Sequence, residues 1–180
     1  APVIDERSAS ILLSVDLQGV ESRPVGYLAR RHQPPVDLAA RGLAVDRYWT
    51  PLYDDEGMGQ VLEPEQFYIF ATRERLRIPP GLCAELIAFD ATKGELRTHY
   101  AGFIDSGFGW VEEDPVAGAQ LVLEIRTHDV PFLLEHGQAL FKLEFVRNEA
   151  LPDVLYGREL KSHYQMQGLR LAKQFGKNDR

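Results

Sequence analysis

The sequence predicts a mainly β fold, a sandwich or jelly roll, on three observations. Apolar and polar residues alternate with period two in several segments, which is typical of half-buried strands. Helical signals are weak, such as the cap that Asp37 offers to residues 38–41, so we expect one or two short helices. No internal repeat, low-complexity tract or linker interrupts the 180 residues, and this predicts a single domain over 1–180.

The strands of the first half follow in chain order. Residues 11–17 carry an apolar side chain at every odd position, and Gln18-Gly19 ends this strand as a turn. The aromatic-rich run 67–71 predicts a second, buried strand. Residues 78–81, Ile-Pro-Pro-Gly, predict a type II turn, and a third strand then runs from 82 to 89.

The clearest alternation lies in the second half. Leu121, Leu123 and Ile125 face one way there, whereas Val122, Glu124 and Arg126 face the other. Residues 131–134 and 139–145 predict two more strands, on either side of His136-Gly137. The acidic stretch 112–118 predicts a surface loop between two strands.

Charge and composition exclude several classes of function. The chain has 20 Lys and Arg against 27 Asp and Glu, a net charge of -7, and lacks the basic stripe that a nucleic-acid polymer requires. A single small phosphate compound stays possible, because it needs only a few placed cations. No apolar run is long enough to cross a membrane, no signal peptide is visible, and the lone Cys83 cannot form an internal disulfide. We therefore expect a cytoplasmic protein.

The common chemical motifs are missing from the sequence. Its histidines have no metal-ligand spacing and no Cys pair beside them, so we expect surface or structural roles for His32, His99, His128, His136 and His163. A Gly-rich phosphate loop and a Gly-x-Ser-x-Gly elbow are also absent. What remains is Asp105 between Gly102 and Gly107, which free the backbone for a tight turn or for close approach to a flat ligand.

The residues around Asp105 resemble the third motif of the dCTP deaminase and dUTPase superfamily. Later elements follow in that family's order, namely Val122-Leu123-Glu124 on a strand, Tyr156, His163 before an aromatic residue, and Gln167. The stretches 82–85, 94–103 and 162–169 are similar to the C-terminal half of the long, tandem-domain form of dCTP deaminase. The resemblance implies that this segment belongs to a longer protein, which would explain a first residue Ala1 in place of Met.

This resemblance implies a dUTPase-like distorted jelly roll or β-barrel, and the hydrolytic deamination of dCTP to dUTP and ammonia. Glu124 would be the general base and acid without zinc, because one carboxylate can take a proton from water and return it to the leaving amine. Asp105 would accept a hydrogen bond from a deoxyribose hydroxyl. The other implied substrate-binding residues are Ala101, Gly102, Val122, Tyr156, His163 and Gln167, the last three as a clamp over base and triphosphate. Magnesium would arrive on the triphosphate, and the sites would form between subunits of a homotrimer or a higher multiple.

Two departures from the family pattern leave other interpretations open. His163 stands where the family has Lys, and an imidazole is mostly uncharged near neutral pH. The family's Arg-Ser-Ser-x-x-Arg loop is replaced by Ile-Ala-Phe-Asp-Ala-Thr at 87–92. From the strand pattern alone, Glu124 is a solvated carboxylate beside Arg126, and Asp105 is an ordinary turn residue. The alternatives are a noncatalytic structural or regulatory β-domain of a tandem deaminase, a dUTP pyrophosphatase and, outside the superfamily, a sugar-binding jelly roll.

Overall fold

Two five-stranded antiparallel sheets carry most of the folded chain. The computed structural model describes residues 3–5, 10–19, 23–54, 56–88, 96–98, 102–114, 118–157 and 168–176. Its strands are β1 Val3–Asp5, β2 Ser10–Ser14, β3 Gly26–Ala29, β4 Trp49–Leu52, β5 Gln60–Leu62, β6 Phe67–Leu76, β7 Leu82–Ala88, β8 Leu96–Thr98, β9 Phe103–Ile104, β10 Ala119–Thr127, β11 Phe132–Leu134 and β12 Ala139–Arg147, and its helix is α1 Val45–Tyr48. The first sheet has the order β1-β2-β12-β7-β9, the second sheet has the order β4-β3-β6-β10-β8, and β11 pairs with β5.

The core lies between the inner faces of the two sheets. Leu13 of β2 and Phe141 of β12 meet Phe70 of β6 and Ile125 of β10 there, all nearly inaccessible to solvent. Because strand side chains alternate between faces, burying these residues leaves Val122, Glu124 and Arg126 on the outer face of the second sheet. The alternation predicted for residues 121–126 is therefore confirmed.

A second, smaller apolar cluster covers part of that outer face. Tyr27 of β3 and Ile69 of β6 pack there with Val45 of α1 and with Leu171 of the C-terminal segment 168–176. The segment is tied down by its backbone, since Leu43 N donates to Gln174 O at 2.9 Å and Gly176 N donates to Leu43 O at 3.0 Å. The outer face of the second sheet is thus a partly covered surface beside the C-terminal segment.

Several element boundaries differ from the sequence predictions. The strand expected over 11–17 is ladder-paired only to Ser14, after which Val15 makes an isolated bridge to Thr72. The strand expected over 67–71 continues to Leu76, because β10 pairs with it beyond the apolar run, at Arg75 and Leu76. The strand expected from 82 ends at Ala88, and Phe89 lies outside the described residues.

Two local predictions were wrong in detail. The turn closed by Leu82 N donating to Pro79 O at 3.1 Å is present, but Gly81 lacks the positive φ that a type II turn requires. Asp37 caps no helix: its carboxylate accepts a hydrogen bond from Ala39 N at 2.9 Å, in a turn, and the described helix begins at Val45.

The predicted fold class is confirmed as mainly β. The described strands form a sandwich of two sheets and do not close into a barrel. The acidic stretch joins β9 to β10, and residues 112–114 are exposed, as expected for a surface loop. Within the described residues, no helix has the length and apolar character that a membrane crossing requires.

Candidate active site

Glu124 stands in the middle of the outer face of the second sheet. It pairs with Ile69 on β6, and Ile69 pairs with Tyr27 on β3, so these three side chains form a row across the strands. Glu124 is exposed, whereas Val122, two residues earlier on the same face, is half-buried against the outer apolar cluster. A solvent-accessible carboxylate therefore stands at the edge of an apolar floor, where a flat heterocycle can lie beside it.

Two buried donors flank this row. Arg126 pairs with Phe67, and the ring of Trp49 lies 6.1 Å from that of Phe67. The Nε atoms of Arg126 and Trp49 (Nε1 in the indole) are both buried, and neither has a hydrogen-bond partner in the part of the chain that the structure describes. Buried donors are normally satisfied, so these two N–H groups stand out among the described residues beside this row.

The face continues into a charged edge beyond Arg126. Glu65 accepts a hydrogen bond from His128 Nδ1 at 2.7 Å, which lowers the pKa of Glu65, and the positive charges of His128 and Arg126 lower it further. Asp129 lies 3.5 Å from the same His128 nitrogen. His128 thus serves a surface ion pair, in agreement with the structural role expected for the histidines.

Asp105 lies in a tightly held loop after β9. Its carbonyl accepts from Phe108 N at 3.1 Å, while Ile78 N donates to Phe108 O at 2.9 Å and Gly107 N donates to Ile78 O at 3.0 Å. Gly107 and Gly109 both have positive φ, and a Cβ on Gly109 would run into the carbonyl oxygen of Leu76. The backbone is therefore fixed while the Asp105 carboxylate stays exposed. Of the two glycines expected to free this turn, Gly107 adopts a glycine conformation and Gly102 does not.

Tyr156 packs against the same loop. Its backbone N donates to Ser106 O at 3.0 Å, and its ring centroid lies 5.7 Å from that of Phe108. Asn148 Nδ2 reinforces the contact by donating to Ser106 Oγ at 2.8 Å. Gly102, at the start of this region, accepts from Leu86 N at 2.7 Å. Asp105 and Tyr156 thus belong to one set of residues around this loop, which we call the loop-centred group.

The loop-centred group and the Glu124 group lie far apart in one chain. The loop packs on Leu76 at one end of β6, whereas Glu124 pairs with Ile69 near the other end. On the paired strand, Ala119 lies opposite Leu76, and five positions of extended β10 from Ala119 to Glu124 cover about 17 Å. Of the remaining expected site residues, Ala101, His163 and Gln167 lie outside the described residues. The described expected site residues therefore form two separate groups, one at the Asp105 loop and one at Glu124.

Sequence reasoning missed Tyr27, Trp49 and the unsatisfied donor of Arg126. Arg126 carries a usable signal, because it lies two residues after Glu124 and a strand places both on one face. Trp49 and Tyr27 carry no local signal, since they meet this face only through the pairing of β4 with β3 and β3 with β6. Within the described residues, no group of three or more His, Cys, Asp or Glu side chains is arranged to hold a metal ion.

The chain is similar to known proteins of one family. Residues 2–175 match the family model described as 2'-deoxycytidine 5'-triphosphate deaminase (DCD), C-terminal domain. A curated dCTP deaminase from Natronomonas pharaonis is 32% identical over 127 residues, which are 68% of this chain and 60% of that protein. The crystal structure of 2'-deoxycytidine 5'-triphosphate deaminase from Agrobacterium tumefaciens superposes with a TM-score of 0.72 at 36% identity, over 84% of this chain and 45% of that one. The chain thus spans less than two thirds of either relative.

Proposed function

The chain belongs to the 2'-deoxycytidine 5'-triphosphate deaminase family and matches its C-terminal domain, and we propose that it contributes the catalytic carboxylate for hydrolysis of dCTP to dUTP and ammonia. The observation that carries the proposal is Glu124, an exposed carboxylate on a rigid central strand beside a half-buried apolar floor. The matched relatives are longer than this chain, so the activity of the whole protein is part of the proposal.

Hydrolytic deamination requires two proton transfers, and one side chain can carry out both. In the proposed reaction, Glu124 takes a proton from water as the oxygen attacks C4 of cytosine, and then protonates the amino group that leaves as ammonia. The balance is dCTP plus water giving dUTP plus ammonia, with no oxidant or reductant. Val122 would lie along the base edge, because strand geometry puts it on the same face as Glu124.

Substrate orientation falls to the loop-centred group in this proposal. Asp105 would accept from a deoxyribose hydroxyl, with Tyr156, His163 and Gln167 over the base and phosphates. Because the Asp105 loop lies against Leu76, about 17 Å along β10 from Glu124 in one chain, we propose that a complete site takes Asp105 and Glu124 from different subunits of a homotrimer or higher multiple. Magnesium would be carried by the triphosphate, since Mg²⁺ usually keeps several waters and binds through substrate phosphates. The free Cys83 thiol suits the proposed cytoplasmic setting.

The deciding experiment compares Glu124→Gln with Glu149→Gln, an exposed glutamate in the turn after β12. The purified proteins are incubated with dCTP or dUTP and magnesium, and ammonia and pyrophosphate are followed separately. Glu124→Gln should lower kcat for ammonia release by about 10²- to 10⁴-fold, the usual contribution of general acid–base catalysis, and leave dCTP binding intact. Glu149→Gln should match wild type.

The other interpretations give different products. Pyrophosphate released from dUTP without ammonia from dCTP would identify a dUTP pyrophosphatase. A protein that releases neither product and binds no nucleotide by calorimetry would be a noncatalytic β-domain. Full ammonia release by Glu124→Gln would contradict the role proposed for Glu124.

A further inference from the structure

A cavity of about 600 Å³ opens between the outer face of the second sheet and the C-terminal segment 168–176. Tyr27, Val45 and Gln120 line it from the side of the sheet and α1, and Phe175 lines it from the segment. This volume lies within the range of pockets that hold small organic ligands and cofactors. We call this cavity the C-terminal pocket.

The charge of the C-terminal pocket is opposite to that of the chain. Arg23, Arg170 and Lys173 line it, and the described lining residues include no Asp or Glu, although the chain carries a net charge of -7. Arg23 and Lys173 are exposed, so their charged groups have access to solvent at the pocket. Three cations around a partly apolar cavity favour an anion with several negative charges.

One wall of the pocket, at Gln120, is held in place. Gln120 Nε2 donates to Thr72 O at 2.6 Å and to Asp16 Oδ2 at 3.3 Å, so both amide hydrogens are directed into the protein. On the pocket side, a Cβ on Gly168 would come within 3.0 Å of Gln120 Oε1. The C-terminal segment therefore approaches a fixed side chain, and anion contacts fall to the three cations.

The pocket lies within reach of the catalytic carboxylate. Tyr27 is in the same cross-strand row as Glu124, two strands away, which is about 10 Å. Gln120 and Glu124 lie on one face of β10, four positions apart, or about 13 Å. These separations are comparable with the distance between the base and the terminal phosphate of an extended nucleotide.

We propose that the C-terminal pocket binds the triphosphate of the nucleotide whose base lies at Glu124, through Arg23, Arg170 and Lys173. The sequence has no arginine or lysine at positions 87–92, so the charge for this purpose has to come from elsewhere in the chain. The identity of the nucleotide rests on the proposed function, whereas the preference for a polyanion rests on the pocket itself.

The test measures anion affinity by isothermal titration calorimetry. The purified chain is titrated with inorganic tripolyphosphate, with dCTP and with 2'-deoxycytidine, as wild type and as Arg23→Ala, Lys173→Ala and the double variant. Arg147→Ala is the matched control, because Arg147 is an exposed arginine at the end of β12 and does not line the pocket. Both exposed cations can be truncated without opening the core.

Wild type should bind tripolyphosphate and dCTP, and bind deoxycytidine much more weakly. Each single variant should weaken tripolyphosphate and dCTP binding about tenfold, and the double variant about a hundredfold, as expected for lost charge-assisted contacts. Arg147→Ala should bind as wild type does. Wild-type affinity in the double variant, or no tripolyphosphate binding by wild type, would overturn the proposal.

The outcomes separate this proposal from the function on which it rests. If Glu124→Gln keeps full ammonia release while the cation variants lose tripolyphosphate, the proposed function fails and the pocket stands. If Glu124→Gln abolishes ammonia release while the cation variants bind dCTP normally, the pocket fails and the function stands.

Discussion

At the scale of single residues, Gly109 shows how tightly the Asp105 loop is built. Its φ of +63° is unfavourable for any side chain, and a Cβ there would meet the Leu76 carbonyl and come within 2.8 Å of Ala119 N. Gly42 has a similar φ of +71°, but a Cβ there would meet nothing within 4 Å. Substituting both glycines therefore distinguishes two contributions to the free energy of unfolding. Gly42 reports the backbone strain of a side chain at positive φ, and Gly109 reports the same strain plus a steric clash.

We expect Gly109→Ala to destabilise the protein more than Gly42→Ala. Gly42→Ala should lower the free energy of unfolding by about 1 kcal/mol through backbone strain alone. Gly109→Ala should lower it by a further 1–3 kcal/mol or so, because the crowded backbone has to shift. Urea unfolding of both variants measures the difference, and equal losses would contradict the close approach of Gly109 to Leu76.

At the scale of elements, an irregularity between β6 and β10 sets the register of the candidate site. Gln120 pairs with Arg75, but Val122 pairs with Ala71, so β6 has extra residues between the two pairs. The buried Thr72 hydroxyl spans this bulge, accepting from Leu121 N at 2.9 Å and donating to Glu74 O at 2.8 Å. The bulge resets the ladder so that Glu124 lies opposite Ile69.

Thr72→Val should destabilise this bulge. Valine preserves the shape of the side chain but leaves a buried N–H and a carbonyl without their partner, which costs about 1–3 kcal/mol of unfolding free energy. Thr50→Val, at a half-buried position of β4, should change the unfolding free energy little. Chemical denaturation followed by fluorescence measures both, and an equally stable Thr72→Val protein would show that the hydroxyl does not hold the bulge.

How far the sequence predicts each element depends on whether its pattern is set by local residues or by distant ones. The sequence predicted the alternation of β10 because one face of this strand lies in the core and the other is only partly covered. The same pattern correctly placed Glu124 on the outer face. The sequence did not predict the bulge, since the Thr72 hydroxyl holds it by accepting from Leu121 N, which is 49 residues further along the chain. For the same reason the sequence did not indicate Trp49 or the C-terminal pocket, which depend on β3, β4 and residues 168–176 meeting on one surface.

At the scale of the whole molecule, the two groups of expected site residues lie towards different ends of the β6–β10 pairing. Glu124 pairs with Ile69, and the Asp105 loop lies against Leu76, which pairs with Ala119. Ala119 and Glu124 are five positions apart on β10, or about 17 Å. We propose that each complete site takes Asp105 and Glu124 from two copies of the chain.

Subunit mixing tests this arrangement. Glu124→Gln and Asp105→Asn proteins should each be nearly inactive alone, the first in proton transfer and the second in holding the sugar. After unfolding and joint refolding at equal concentration, a site that takes Glu124 from one subunit and Asp105 from its neighbour is intact in about one quarter of random pairings. Ammonia release should therefore recover to about one quarter of the wild-type rate.

Mixing the same proteins without unfolding is the control, and it should restore activity only as fast as subunits exchange. A site made within one chain can never be repaired by mixing, because every copy carries one of the two substitutions. No recovery after joint refolding, with the oligomer re-formed as judged by light scattering, would therefore contradict a shared site. It would require Asp105 and Glu124 of the same chain to act together.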